Sequence, residues 1–393
     1  MLYGDGKHDD TEALQKLLDQ GGIVTVPKPG IYLISRTLII HSDTRFVLSP
    51  GVRLLAAPYS KCALIENEYF AGGGRNQNIE IIGGIWDGNC DNMGLDAVYE
   101  VIHREDEPYS PSLFKGKLIR FAHIDRIILE KMTVCDPVSY GIQIADVIGF
   151  VVRDIYFDYN CHFGTTDGVH INGPACNGII ENLHGTTNDD MVSLTTIDEV
   201  HAEVTVGEIV NVEIRNISAA NGYSGVRLLS AGDFDIRCVR INGVYGEYRH
   251  NAVLVSHHNT RPNTRIWFDD IVIEHIHAVK STNPLGEGCF VYWEGKNTPK
   301  QPLIWIERGI KAGNITLRDI SRHVKESSEA ALIQLDATAE IDRLVIHNVY
   351  QKTETGTEAP LLKNEADIVL LRADLVEDGS LDVRTASAVR KEW

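Results

Sequence analysis

The chain has 393 residues, 43% hydrophobic and 23% charged, an apolar share that can build a large core and excludes a disordered, tail-like composition. Thirty-seven Lys and Arg face 55 Asp and Glu, a formal charge of −18, which excludes non-specific nucleic-acid binding and makes any acidic ligand depend on local cations. Seven scattered Cys with no Cys-x-x-Cys pair exclude zinc ribbons and redox motifs and read as reduced, buried thiols.

The opening MLYGDGKHDD carries no charged-then-apolar leader, and no apolar run reaches membrane-spanning length. The expected location is therefore cytoplasmic, or secreted if a leader has been removed, with no membrane partner. Residues 10–20 predict a helix: Asp9, Asp10 and Thr11 are N-cap types, and Ala13, Leu14, Leu17 and Leu18 form one apolar face. A helix there would close the end of a larger body, in a cap region spanning 1–30.

Downstream the chain repeats itself. An apolar–polar–Asn/Asp/His–apolar motif recurs at Asp154, Asn182, Asn216, His275, Asp319 and Asn348, each copy following an apolar or alternating run. The Asn216 and Asn314 glycosylation sequons fall within predicted strands and are read as chance. Between the motifs lie short strands at 140–144 (YGIQI), 167–171 (DGVHI), 190–194 (DMVSL), 224–228 (SGVRL), 251–255 (NAVLV), 288–292 (GCFVY) and 330–334 (AALIQ). The period, roughly 23 to 44 residues with two or three strands each, is too irregular for leucine-rich or ankyrin repeats. The predicted fold class is all-β: a single-stranded right-handed parallel β-helix (solenoid) with an N-terminal capping helix. Strands at 368–371 and 381–383 lead into a C-terminal cap and tail over 366–393. No Gly-, Ser- or Pro-rich linker divides the chain, so 1–393 is read as one domain.

Side chains alternate along a strand. Val169, Ile171, Val192, Leu194, Val226 and Leu228 therefore point into the tube. His170, Asn172, Ser193, Thr195, Arg227 and Leu229 point out, and stacked coils form an outer ladder of His170, Ser193 and Arg227. Asp167 and Asp190 stand 23 residues apart, about one coil, and join Asp189 at the upstream edge of the same sheet. Clustered carboxyls raise at least one pKa and supply an acid beside an ionised base, the pair that glycoside hydrolysis needs. Trp86, Tyr99, Tyr109, Tyr223, Trp267 and Trp293 are either sugar platforms or packing residues. His250, His257 and His258 flank the next strand, with His257 placed at the downstream cleft, and Glu294 lies further on. Lys115 and Lys117 either meet an anionic chain or are solvated surface charge.

From Leu118 to Leu229 the chain resembles glycoside hydrolase family 28, the polygalacturonases. That family's pattern is Asn-Thr-Asp-Gly, Gly-Asp-Asp, Gly-His-Gly and Arg-Ile-Lys. Here stand Thr165-Thr166-Asp167-Gly168, Asn188-Asp189-Asp190 and Arg227-Leu228-Leu229. The segment Gly83-Gly84-Ile85-Trp86-Asp87-Gly88 resembles the family's early glycine-rich stretch. The opening 3–11 resembles the N-terminus of pectin-active and phage-spike β-helices. The resemblance implies that Asp189 is the general acid, that Asp167 and Asp190 hold and activate a water, and that Arg227 contacts the sugar. It implies inversion of the anomeric centre, with acid and bases far enough apart to admit that water, and no metal or cofactor. Tyr223, His257 and His170 complete the expected substrate contacts, with His170 standing in for the missing Gly-His-Gly histidine; His201 is the one His between Asp190 and Arg227. Leu229 replaces the Lys that grips a uronate, which weakens the expectation of an acidic sugar. The expected partner is an oligo- or polysaccharide, with the loop 91–115 favouring exo action and a homo-oligomer left open. A lyase whose three acids bind calcium, a non-catalytic glycan-binding spike, and a fructan-cleaving transferase are the competing readings.

Overall fold

The computed structural model describes residues 1–95, 116–197, 204–257, 267–291, 300–377 and 380–381. These form a parallel β-helix. Apart from the antiparallel pair of Asp367–Glu377 with Ser380–Leu381, every strand pairing is parallel and joins segments one coil apart.

The inward residues explain the winding. Ile142, Val169, Val192, Val226, Val253, Ile304 and Ile333 pair in sequence from coil to coil, and each is fully buried. Ile144, Ile171, Leu194, Leu228, Val255 and Ile306 form a second such column two residues on. Rows of branched side chains stacked at strand spacing give a continuous apolar interior along the axis. The recurring motif is a corner. Asp154, Asn182, Asn216, His275, Asp319 and Asn348 all adopt positive φ, between 51° and 56°. Short polar side chains tolerate this left-handed conformation best. They also stack: Asn182 donates to Asp154 at 2.8 Å, and Asn216 donates to Asn182 at 2.7 Å. The motif is thus a bend that lets one chain segment pass between two sheets of the tube.

The period is wider than expected. Ile65 pairs with Ile119 and Val253 with Ile304, steps of 54 and 51 residues, because long insertions separate those coils. Helix Thr11–Leu18 sits at the N-terminal end with Leu14 and Leu18 fully buried. Asp10 occupies its N-cap position, yet its carboxylate accepts the amides of Tyr3 and Gly4, while Asp9 accepts the Thr11 amide. At the other end Val383 lies outside the described residues. The cysteines are free, but only Cys90, Cys135 and Cys161 are buried, and Cys238 is exposed, which corrects the uniformly buried reading.

Candidate functional site

The expected ladder forms. His170 pairs with Ser193 and Ser193 with Arg227 on the outward side of adjacent strands. One column earlier, the hydrogen bonds from Leu118 to Tyr140, Gly141 to Asp167 and Gly168 to Asp190 continue the same register. They stack Lys117, Tyr140, Asp167, Asp190, Ser224 and Asn251 along the sheet edge. One oxygen of each of Asp167, Asp189 and Asp190 lies within 4.8 Å of the others.

Asp167 is held from two sides. Its Oδ2 is 2.7 Å from Nδ1 of His170, and its Oδ1 accepts the Asp190 amide at 3.1 Å. Asn172 donates to His170 Nε2 at 3.2 Å, and Gln143 donates to Asn172 Oδ1 at 2.8 Å. This chain of donors fixes the imidazole tautomer with its Nδ1 proton toward the carboxylate. Tyr140 stacks on His170 at 4.1 Å between ring centroids, and the Lys117 ammonium sits 4.0 Å from the Tyr140 centroid. Arg227 Nη1 lies 3.6 Å from Asp190 Oδ2, and its Nε donates to Ser256 Oγ at 3.0 Å.

Asp167, Asp190 and His170 are each only 3% exposed, so the outward face of this sheet is covered rather than open. Asp189 and Arg227 are partly exposed. Burial first, and then the charge of Asp190, push the Asp167 carboxyl well above the usual carboxylate range; Arg227, the Asp190 amide and Lys117 pull against them.

Several expectations change. The raised carboxyl is Asp167, one of the pair expected to act as base. The oxygens of the acid and the bases stand closer than the roughly 6.5–9.5 Å separation general to inverting glycosidases. Lys117 is buried over Tyr140, not solvated. Trp86 is a core residue whose indole donates to Gly83 O at 3.0 Å. Tyr223 follows Asp189 by one coil but is buried, with its ring stacked on His250 at 4.8 Å and Arg249 5.5 Å from its centroid. Burial lowers His250 to about 3, helped by the charge of Lys280. His257 is buried with neither ring nitrogen hydrogen-bonded, and a side chain at Gly309 would collide with it. Leu229 is buried, so no cation stands where the polygalacturonase Lys does. Asn188, which departs from the family Gly, is structural: its amide donates to the carbonyls of Cys161, Phe163 and Phe290. Tyr99, Tyr109, Lys115, His201, His258, Trp293 and Glu294 lie outside the described residues. Asp167, Asp189 and Asp190 could each offer one oxygen to a cation.

The sequence pattern gave Tyr140 and Gln143 no functional role, and it named Lys117 and Asn172 without their contacts to Tyr140 and His170. Tyr140 opens YGIQI in the place that Asp167 holds in DGVHI, and Lys117 stands one coil earlier, so the register that found the acids also contained these residues.

No known family profile matches the chain. The pre-neck appendage protein of Bacillus phage B103 is 24% identical over 312 residues, 72% of this chain and 33% of that protein; the chain spans about a third of this relative's length. Among solved structures, the adhesin PfbA of Streptococcus pneumoniae aligns with a TM-score of 0.62 at 17% identity, covering 96% of each chain. The hyperthermoactive exopolygalacturonase of Thermotoga maritima also aligns with a TM-score of 0.62, at 12% identity over 97% of this chain and 90% of that one. These likenesses establish the right-handed parallel β-helix. The two neighbours share that scaffold although one is an adhesin and the other an enzyme, so function has to be argued from the site.

Proposed function

We propose that the chain is a glycoside hydrolase acting on a pectic or related oligo- or polysaccharide by single displacement. The observation that carries this reading is the cluster of Asp167, Asp189 and Asp190, wired to His170 on one side and facing Arg227 on the other. Asp167 and Asp190 hold a water. As that water attacks the anomeric carbon, its proton passes to the pair. Asp189, the most accessible acid, protonates the oxygen of the breaking glycosidic bond. Arg227 contacts the sugar beside that bond.

Two features bear on the stereochemistry. One water accepting or donating hydrogen bonds of about 2.7 Å to each of two oxygens spans roughly 4–5 Å, so the tight spacing still accommodates it. Asp167 and Asp190, at 3% exposure, are open to a water but not to a pyranose carbon. That favours water attack over a covalent glycosyl-enzyme, and hence inversion. The test is reducing-end release from a panel of pectic and neutral oligosaccharides. Asp189→Asn and Asp190→Asn should each lower turnover by about 100-fold or more while leaving binding intact. Unchanged release would refute the assignment. The likeness to a phage pre-neck appendage protein favours a second reading, a glycan-binding spike without turnover. That reading predicts binding by the unmodified protein with no release at all.

A further inference from the structure

Three cysteines that the sequence scatters converge beside the candidate site. The turn at 160–163 and the segment 286–290 lie against each other. The Phe290 amide donates to Cys161 O at 2.8 Å, and the Cys289 thiol donates to Asn160 O at 3.3 Å. The Cys161 thiol donates to the preceding carbonyl, Tyr159 O, at 3.6 Å. By standard backbone dimensions, the hydrogen bond from Phe290 to Cys161 leaves the Cα atoms of Cys161 and Cys289 about 5–7 Å apart. That is the separation a disulfide spans. Cys90 touches the Asn160 side chain instead, 3.5 Å from its Nδ2.

The contact is tied to the acid cluster. Asn188, the residue before Asp189, donates to Cys161 O, Phe163 O and Phe290 O, so one amide clasps both pieces. Gly164 admits the Phe290 ring, since a side-chain carbon there would meet it at 2.4 Å. The three thiols differ in access. Cys289 is partly exposed, whereas Cys90 and Cys161 are buried. Burial pushes the Cys90 thiol up to about 12 and the Cys161 thiol up to about 11, with Arg249 pulling Cys161 down and Cys289 pushing it up. Thiol–disulfide exchange needs a thiolate that a reagent can reach, so Cys289 is where it starts.

We propose that Cys161 and Cys289 form a modification site at which a low-molecular-weight disulfide, such as oxidised glutathione, installs an intramolecular disulfide that fastens 286–290 to the coil beside Asp189. The Cys289 thiolate attacks one sulfur of the reagent and expels the other half as a thiolate. Cys161 loses its proton and attacks the Cys289 sulfur of the mixed disulfide, expelling the second half. Two protein thiols are oxidised, one small disulfide is reduced to two thiols, and the two protons end on those thiols. Without the bridge, the described contacts holding this wall of the site are hydrogen bonds and packing alone. The inference does not rest on hydrolysis.

The test uses the full chain, first reduced and then incubated with excess oxidised glutathione at pH 8. Free thiols are alkylated under denaturing conditions and peptides are mapped by mass spectrometry. Peptides carrying Cys161 and Cys289 should be found joined, and the exposed Cys238 should carry glutathione, which shows that the reagent acted. Cys161→Ser should instead retain glutathione on Cys289, and Cys90→Ser should still form the bridge. The bridge closes a loop of roughly 130 residues, so oxidation should raise Tm by about 5 °C and dithiothreitol should reverse the rise. Cys289→Ser, a change at a partly exposed position, should fold normally and show no rise. The proposal is overturned if the parent keeps both thiols while Cys238 reacts, if Cys289 is joined to Cys90, or if the bridge forms and Tm does not move.

Discussion

Replacing Asp167 by Asn removes the carboxyl that the fold holds least comfortably. Its folded-state pKa is raised by burial and by Asp190, so between the unfolded value, near 3.9, and the folded value the native state binds more protons than the unfolded chain. Stability is therefore highest below this window and falls as pH rises through it, by up to about 1.4 kcal/mol per pH unit. Unfolding entropy of about 2.1 cal/mol/K per residue makes 1 kcal/mol worth roughly 1 °C of Tm in a chain this long. Asn is uncharged and isosteric, and its oxygen can still accept the Asp190 amide now donated at 3.1 Å. Its amide cannot replace the acceptor facing His170 Nδ1, a loss of about 1 kcal/mol. Asp167→Asn should therefore be slightly less stable than the parent near pH 4. It should gain on it by roughly 1.5 °C per pH unit through the window and exceed it at pH 8. Thermal unfolding by circular dichroism from pH 4 to 9 gives the comparison. A Tm difference that is flat with pH, or that moves against the variant as pH rises, would refute the reasoning.

Two further substitutions test the scaffold. Glu274 is fully buried between Arg240 and Arg318, both of which remain partly in water; Glu274→Gln should cost about 2–3 kcal/mol, read as a lower denaturation midpoint, and a change below about 0.5 kcal/mol would contradict the packing. Asn182 sits at φ 56° in the corner ladder, so Asn182→Val should cost about 2 kcal/mol and Asn182→Gly clearly less in chemical denaturation; equal losses would show that backbone conformation is not what the motif encodes.

The coil register was readable because apolar alternation and repeat spacing act together. Val169, Val192 and Val226 could only be interior, and that placed Asp167 over Asp190 and His170 beside Ser193 and Arg227. The corner residues were visible as a pattern, but their reason, a left-handed bend, is a backbone property that the pattern only labels. Burial of the outward face was not readable. Alternation says that His170 and Asn172 leave the core, and it says nothing of what then covers them. The Lys117–Tyr140–His170 stack was not readable, because alternation places Lys117 and Tyr140 near the sheet edge without showing that the cation and the ring cover His170. The coil steps of 51 and 54 residues were hidden because alternation within a strand does not fix how many residues separate it from the strand that pairs with it.

The central claim is that a water held by Asp167 and Asp190 attacks the sugar while Asp189 protonates the leaving oxygen. It is tested most directly by following the anomeric configuration of the first-formed product by proton NMR as an α-linked galacturonate oligomer is cleaved. The account predicts that the β-anomer appears first and then mutarotates. First appearance of the α-anomer would mean a covalent intermediate, and an unsaturated product would mean elimination; either contradicts it.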